Sequence, residues 1–186
     1  MRHISRLLGL LAVALLLAAG PARAADPKLD PENTLYMDLV YGRVVIQLRP
    51  DLAPKHVARI KQLARQHFYD GTPFHRVIAG FVVQGGDPTG TGTGGSGQNL
   101  PAEFSKAHHL RGTASMARAS DPDSADSQFF ICLAAVPDLD GQYTIWGQVV
   151  KGMEFVDRIK KGDPGDNGTV TNPDRIVKMQ VAADVK

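Results

Sequence analysis

The amino-acid sequence predicts a mainly β protein, built as a closed antiparallel barrel with helices as plugs. Short runs of alternating apolar and polar residues recur along the chain, and turn signals rich in glycine and proline separate them. Only two segments have apolar residues at helical spacing, so helices and strands do not alternate regularly as they do around a parallel sheet. Chains with many short strands often remove exposed strand edges by closing the sheet, which is why we predict closure.

The N-terminal region has the pattern of a secretory signal peptide. Arg2 and Arg6 precede an apolar run from 7 to 19, and the small-x-small tripeptide Ala22-Arg23-Ala24 follows it. We therefore expect residues 1–24 to be cleaved and the protein to be periplasmic or secreted, without stable membrane insertion. A membrane anchor is the alternative, but the apolar run of about 13 residues is shorter than the roughly 20 that a bilayer requires.

The charge balance after cleavage argues against a nucleic-acid partner. The full chain carries 21 basic and 19 acidic residues, and residues 1–24 contain three arginines but no acid. Cleavage leaves 18 basic against 19 acidic residues, a net charge of −1, so a basic nucleic-acid-binding surface is not expected. We expect a flexible segment, residues 25–33, followed by one domain, residues 34–186, that acts as a monomer.

The first elements of that domain are a β-hairpin and a helix. Residues 35–40 and 43–48 alternate as strands do, and Tyr41-Gly42 joins them. Residues 54–66 form the predicted helix, because four apolar residues recur at helical spacing and Pro54 suits a first turn. These four residues are Val57, Ile60, Leu63 and Ala64.

Six further strands and a second helix follow. The predicted strands are 74–78, 81–84, 113–118, 128–134, 143–150 and 175–182, and the second helix is 153–160. Residues 90–95 match GxGxxG, but a dinucleotide-binding motif needs an amphipathic helix next, and a polar segment ending at Pro101 follows instead. We interpret these glycines as a tight loop beside a binding groove.

Two stretches of this pattern are characteristic of one family. The stretch from 74 to 87 reads FHRVIAGFVVQGGD and sets one cation, Arg76, among apolar strand residues. The stretch from 127 to 134 reads SQFFICLA and contains the only cysteine, Cys132, which we expect to be a small buried hydrophobe. From about residue 35 to 181 the chain resembles the cyclophilins, which are peptidyl-prolyl cis-trans isomerases. The resemblance implies a closed eight-stranded antiparallel barrel capped by two helices, with a groove on its outside.

The reaction that the resemblance implies needs no nucleophile, metal or cofactor. An X-Pro bond rotates over a barrier of roughly 18–20 kcal/mol, and no bond is made or broken. A million-fold acceleration requires only about 8 kcal/mol of stabilisation that is specific to the twisted amide. A guanidinium suits this task, because it is permanently charged and presents its donors in a rigid fork.

The resemblance also implies roles for named residues toward a proline-containing polypeptide. Arg76 matches the catalytic arginine, and Gln84 and Gln128 match polar groups that orient it and hold the substrate backbone. The predicted walls of the proline pocket are Phe81, Val82, Phe130, Leu139 and Tyr143. Strand alternation turns Phe129 and Ile131 the opposite way, toward the core.

Other predicted contacts border the groove. Gly92 and Thr93 match a loop position near the substrate, and Ala117, Arg118 and Ala119 match the strand end that pairs with the substrate backbone. Arg118 replaces the family's usual asparagine, so a preference for acidic residues before the proline is expected. Val82 replaces a methionine, and Tyr143 a histidine that cyclosporin-sensitive relatives carry. Asp138 stands where those relatives have tryptophan, so weak cyclosporin binding is expected.

Two other functions remain as alternatives. The same groove could serve a non-catalytic module or a chaperone that binds proline peptides without turnover, although such a protein would not need Arg76. A serine or cysteine hydrolase would need a nucleophile elbow or a placed Cys–His pair, and the sequence indicates neither.

Overall fold

The structure is a computed structural model that describes residues 29–185. The predicted signal peptide, residues 1–24, lies outside this range, and so do residues 25–28 of the predicted flexible segment. Within the described range, Pro31–Asn33 form a short 3-10 turn that begins at Asp30, whose carboxylate accepts a hydrogen bond from Glu32 N at 3.0 Å.

Eight antiparallel strands and two α-helices form the described part of the chain. The strands are β1 (Thr34–Leu39), β2 (Gly42–Leu48), β3 (Arg76–Ile78), β4 (Val82–Gly85), β5 (Thr113–Met116), β6 (Phe129–Cys132), β7 (Ile145–Lys151) and β8 (Lys178–Val181). The helices are α1 (Pro54–Arg65) and α2 (Met153–Arg158). The strands form one curled sheet in the order β3-β4-β6-β5-β7-β2-β1-β8. The prediction of a mainly β fold with two helices is therefore confirmed.

The predicted closure of the barrel is not confirmed. Strands β3 and β8 are the two edges of the sheet, and no ladder joins them. The free side of β3 is occupied by the loop before β8, because Val77 N donates to Gly168 O at 2.8 Å and Gly162 N donates to Val77 O at 2.9 Å. The segments that precede β3 and β8 meet at an isolated bridge between Pro73 and Arg175.

Strand β6 separates the core from the outer face. Phe129 and Ile131 have no exposed surface and belong to the large core, as the alternation predicts. Phe129 packs edge-on against Trp146, with ring centroids 5.7 Å apart. Phe130 and Cys132 point the other way, into a second apolar cluster with Val82. Cys132 is buried, as predicted, and burial raises the pKa of its thiol to about 12.

Helix α1 packs against β7 and β8, and its N-terminus is capped from a distant part of the chain. The N-cap residue, Ala53, has no side-chain acceptor. Glu103 caps the helix instead, because the Glu103 carboxylate accepts hydrogen bonds from Lys55 N at 3.1 Å and from His56 N at 3.0 Å. The His56 ring also donates to Glu103, with Nδ1 2.7 Å from Oε2. A loop near the groove is thus tied to the helix.

Two features are absent from the described residues. Within 29–185 no helix is both long and apolar enough to cross a bilayer. In the same range, no group of three or more His, Cys, Asp or Glu side chains is arranged to hold a metal ion.

Candidate functional site

Two adjoining pockets open on the outer face of the sheet, and together they form a groove. The first, here called the apolar pocket, has a volume of about 180 Å³. It is lined by Arg76, Phe81, Val82, Gln84, Ala117, Arg118, Phe130, Leu139 and Tyr143. Every one of these nine residues was predicted from the sequence as a site residue.

The second cavity, here called the polar pocket, has a volume of about 420 Å³ and shares three residues with the apolar pocket. These shared residues are Gln84, Ala117 and Arg118. The rest of its lining is Gly92, Thr93, Gly94, Gly95, Asn99, Ala119, Ser124, Asp126 and Gln128. The sequence had indicated Gly92, Thr93, Ala119 and Gln128, but not the other five.

Arg76 is held in place by two residues and keeps donors free. It lies at the start of β3, directly opposite Gln84 of β4. Its Nη1 donates to Gln84 Oε1, its Nη2 to Asn167 Oδ1 and its Nε to Asn167 O, each at 3.1 Å. A guanidinium has five N–H groups, so one N–H on each terminal nitrogen remains for a ligand. Burial lowers the pKa of Arg76 below its ordinary value, but the group stays charged at neutral pH.

A chain of side-chain hydrogen bonds connects Arg76 with the glycine-rich loop. Gln84 accepts from Arg76 and donates through Nε2 to Gln128 Oε1 at 3.0 Å. Gln128 Nε2 then donates to the carbonyl oxygens of Gly92 and Gly94, at 3.0 and 2.9 Å. Because each amide is used as donor and acceptor, the fork of Arg76 has a fixed orientation.

The glycine-rich loop is wrapped around a buried carboxylate. Asp87 accepts from the backbone N–H groups of Thr89, Gly92 and Gly94, at 2.7, 2.7 and 3.1 Å. Burial alone would raise the pKa of Asp87, but these hydrogen bonds outweigh it and hold the pKa at about 2. No helix follows the loop, since β5 is the next regular α or β element. The interpretation as a tight loop beside the groove is confirmed.

The apolar walls described here come from three parts of the chain. Val82 lies on β4 and Phe130 on β6, where alternation turns both outward. Leu139 and Tyr143 come from the segment between β6 and β7. The Phe130 and Tyr143 rings meet edge to face with centroids 5.5 Å apart, so they form one rigid corner of the apolar pocket.

The Arg118 side chain lies at the boundary between the two pockets and lines both of them. Its Nε and Nη2 donate to Gln142 O, at 3.2 and 3.1 Å. Its Nη1 donates to the carbonyl oxygens of Ala119 and Ser120, at 2.9 and 3.2 Å. The guanidinium carbon also lies 4.7 Å from the centroid of the Tyr143 ring. Most donors of Arg118 are therefore satisfied by the protein itself.

Comparison with known families agrees with this arrangement. Residues 34–181 match the family model described as cyclophilin type peptidyl-prolyl cis-trans isomerase. The chain belongs to this family. A probable peptidyl-prolyl cis-trans isomerase of Brucella suis is 53% identical over 169 residues, which cover 84% of this chain and 86% of that protein. Peptidyl-prolyl cis-trans isomerase B of Bacillus subtilis is 45% identical over 124 residues, covering 66% of this chain and 86% of that protein.

Solved cyclophilin structures have the same fold. AquaCyp293 from Hirschia baltica superposes with a TM-score of 0.75 at 27% identity, covering 85% of this chain and 77% of that one. A cyclophilin from Cryptosporidium parvum, crystallised in the presence of the dipeptide Ala-Pro, gives a TM-score of 0.73 at 31% identity. That match covers 80% of this chain and 98% of the other. The present chain is therefore a cyclophilin-type peptidyl-prolyl cis-trans isomerase. Its groove presents the guanidinium of Arg76 beside the apolar pocket.

Sequence reasoning missed two groups of residues at the cyclophilin groove. Asn167, in the turn Asp166-Asn167-Gly168, binds Arg76 through both its backbone and its side chain. Its left-handed conformation, with φ of 48°, makes this possible, and an Asp-Asn-Gly turn is the signal that could have indicated it. His109 and Asp140 lie behind the apolar pocket, and only the fold brings them there.

These two residues complete a Ser–His–Asp arrangement that is not a hydrolase site. His109 Nδ1 lies 3.1 Å from Asp140 Oδ1, and His109 Nε2 lies 3.0 Å from Ser115 Oγ. Ser115, however, has no exposed surface, and its hydroxyl donates to Thr144 O at 2.9 Å. A substrate carbonyl cannot reach this oxygen, so the arrangement does not meet the geometric needs of acyl transfer.

Proposed function

We propose that this cyclophilin accelerates X-Pro rotation in unfolded or flexible exported polypeptides and so assists their folding. The observation that carries the proposal is Arg76, fixed by Gln84 and Asn167 and with free N–H groups beside the apolar pocket. Slow prolyl isomerisation limits the folding of many chains, which gives the activity a use wherever proteins fold after export.

In the proposed complex the proline ring occupies the apolar pocket. A free N–H of Arg76 donates to the prolyl carbonyl oxygen, and the substrate backbone runs along residues 117–119. Arg76 then acts as a fixed donor in a partly desolvated site, which makes it more effective than the same group in water. The crystallisation of the Cryptosporidium parvum cyclophilin in the presence of Ala-Pro supports a proline-containing ligand for this groove. We propose that the protein acts as a monomer.

A binding module that uses the same groove without turnover is the alternative. A prolyl-peptide isomerisation assay and the refolding of a protein limited by prolyl isomerisation separate the two functions. An isomerase accelerates both peptide isomerisation and refolding at catalytic concentrations. A protein that only binds slows refolding and must be present in stoichiometric amounts to do so. Absence of acceleration by a folded protein would contradict the proposed function.

Processing of the N-terminus is a separate prediction, based on the pattern of residues 1–24. We expect the protein isolated from its native host to begin at Ala25, or within a residue or two of it, and to be periplasmic or secreted. Intact-mass measurement of the isolated protein tests this expectation. A mature protein that still contains Met1, or the apolar run from 7 to 19, would contradict the proposed location.

Arg118 leads to a prediction on substrate preference. It lines the apolar pocket beside Arg76, and no carboxylate residue lines the same pocket. Because backbone carbonyls occupy most of its donors, Arg118 acts on a substrate through its charge. We therefore expect kcat/KM for Glu-Pro peptides to exceed that for Lys-Pro peptides by about two- to fivefold at low salt, the size of an exposed charge pair.

The preference for Glu-Pro peptides should fall at high salt, because exposed charges are screened. It should disappear in Arg118→Gln, because that substitution removes the charge. Arg111→Gln is the matched control, since Arg111 is half-exposed and pairs with Asp157 instead of lining the groove. An unchanged preference in Arg118→Gln would assign the effect to another group.

A further inference from the structure

His109 lies behind the apolar pocket and contacts two of its walls. Its side chain has no exposed surface. Its ring stacks on Phe130, with centroids 6.1 Å apart and an interplanar angle of 24°. The same ring meets Tyr143 edge-on at 6.5 Å and 84°. One buried ring therefore supports both aromatic residues that form the corner of the apolar pocket.

One ring nitrogen of His109 is held by a hydrogen bond, and the other faces a buried hydroxyl group. Nδ1 lies 3.1 Å from Asp140 Oδ1, and since a carboxylate only accepts, Nδ1 is a protonated nitrogen. Nε2 lies 3.0 Å from Ser115 Oγ on the opposite side. Rotation of the ring about its Cβ–Cγ bond would break the hydrogen bond from Nδ1 to Asp140, so this bond fixes the orientation of the ring.

The backbone of His109 is also connected to the segment that carries the remaining walls. Its N–H donates to Asp140 Oδ1 at 2.7 Å, and its carbonyl accepts from Val136 N at 2.8 Å. Asp140 directly follows Leu139, a third wall of the apolar pocket. The contacts of His109 thus reach Phe130, Tyr143 and the turn that bears Leu139.

We propose that His109 is a positioning residue that sets the spacing between Phe130 and Tyr143, and so the width of the apolar pocket. It touches no substrate, because it is buried behind these walls. The proposal rests on the proposed use of the apolar pocket for the proline ring. A residue that shapes the pocket equally for planar and twisted amides affects binding in both states, and therefore KM more than kcat.

Two variants of His109 test the proposal. His109→Asn keeps a donor to Asp140 but removes the ring, and we expect KM for a short Ala-Pro peptide to rise at least about fivefold, with kcat within about twofold. His109→Phe restores a ring of similar thickness, and we expect it to return KM to within about twofold of the unmodified protein. A residue that only stabilised the fold would lower the active fraction and hence kcat, leaving KM unchanged.

His108→Asn is the matched control. His108 also binds Asp140, with Nδ1 2.6 Å from Oδ2, but its side chain is 73% exposed. The ring contacts with Phe130 and Tyr143 are made by His109 and not by His108. We expect its KM to be unchanged. An equal rise in KM for His108→Asn would assign the effect to Asp140 and overturn the role of His109.

A direct measurement of peptide binding tests the positioning role of His109 separately from the proposed catalysis. The dissociation constant of the same peptide, measured by NMR titration, should rise in parallel with KM. If the unmodified protein bound the peptide without turnover, the isomerase function would fail while the role of His109 could still be read from binding. Unchanged binding by a folded His109→Asn protein would refute the positioning role.

Discussion

Replacement of Arg76 by alanine is expected to lower kcat/KM for prolyl-peptide isomerisation at least tenfold, while the protein stays folded. Tenfold corresponds to about 1.4 kcal/mol of transition-state stabilisation. Two residues orient the guanidinium, and two of its N–H groups have no partner among residues 29–185. Removal of the side chain takes away the donor to the prolyl carbonyl, but leaves the walls of the apolar pocket in place.

Two further variants sharpen this prediction. Arg76→Lys should also be a poor enzyme, because a point charge cannot bind Gln84 and Asn167 and still present a free donor in the same plane. Arg49→Ala is the control, since Arg49 is a partly exposed arginine that pairs with Asp51. Near-normal turnover by folded Arg76→Ala would refute the catalytic assignment. Circular dichroism and thermal unfolding would establish that each variant is folded.

Replacement of Glu103 by alanine is expected to lower the free energy of unfolding by about 2–4 kcal/mol, the largest stability change predicted for this protein. Charge-assisted hydrogen bonds contribute roughly 1.5–3 kcal/mol each, and the contributions of several bonds to one carboxylate are not additive. The Glu103 carboxylate caps α1 through Lys55 N and His56 N and also binds the His56 ring. Since the His56 side chain has no exposed surface, water cannot replace the lost partner. Urea unfolding at neutral pH measures the difference.

The effect of Glu103 should depend on pH in a defined direction. Burial alone would raise the pKa of Glu103, but hydrogen bonds from His56 and Lys55 outweigh it and the pKa is lowered. Because its pKa is lower in the folded than in the unfolded protein, the ionised Glu103 carboxylate stabilises the fold at pH values above the unfolded pKa of about 4.3. This stabilisation is lost as the pH falls through the folded pKa. The stability difference between the unmodified protein and Glu103→Gln should therefore shrink in acid.

Glu154→Gln is the matched control for this pH dependence, because Glu154 is an exposed acid in the first turn of α2. We expect it to change the free energy of unfolding by less than about 0.5 kcal/mol, as most exposed substitutions do. If Glu103→Gln changed stability as little as this control, the carboxylate would not be an effective cap.

Local patterns gave most elements to within a few residues. Helix α1 was predicted as 54–66 and is Pro54–Arg65, and the second strand was predicted as 43–48 and is Gly42–Leu48. Strand β3 was predicted to start at 74 but starts at Arg76. The reason is tertiary, because Phe74 N donates to Asp174 O, across the gap between the edges of the sheet. Apolar character alone does not show which partner a backbone N–H will find.

The sequence, together with the family resemblance that its motifs carry, indicated the residues of the apolar pocket and the place of Arg76 beside them. Alternation on β6 turns Phe130 outward and Phe129 inward, and this follows from the period of a strand whatever its neighbours are. The family resemblance supplied the remaining walls, because its motifs cover nearly the whole domain. Both kinds of information concern short segments, in which the order of residues fixes which side chains share a face.

Only the tertiary structure decided how distant segments support these residues. Asn167 lies 91 positions from Arg76, Asp140 lies 31 positions from His109, and Glu103 lies 47 positions from His56. No local period relates such pairs, and each bond depends on loops that are placed by the strand order. The same cause left the barrel open along β3, where the loop before β8 uses the backbone groups that a closing strand would need.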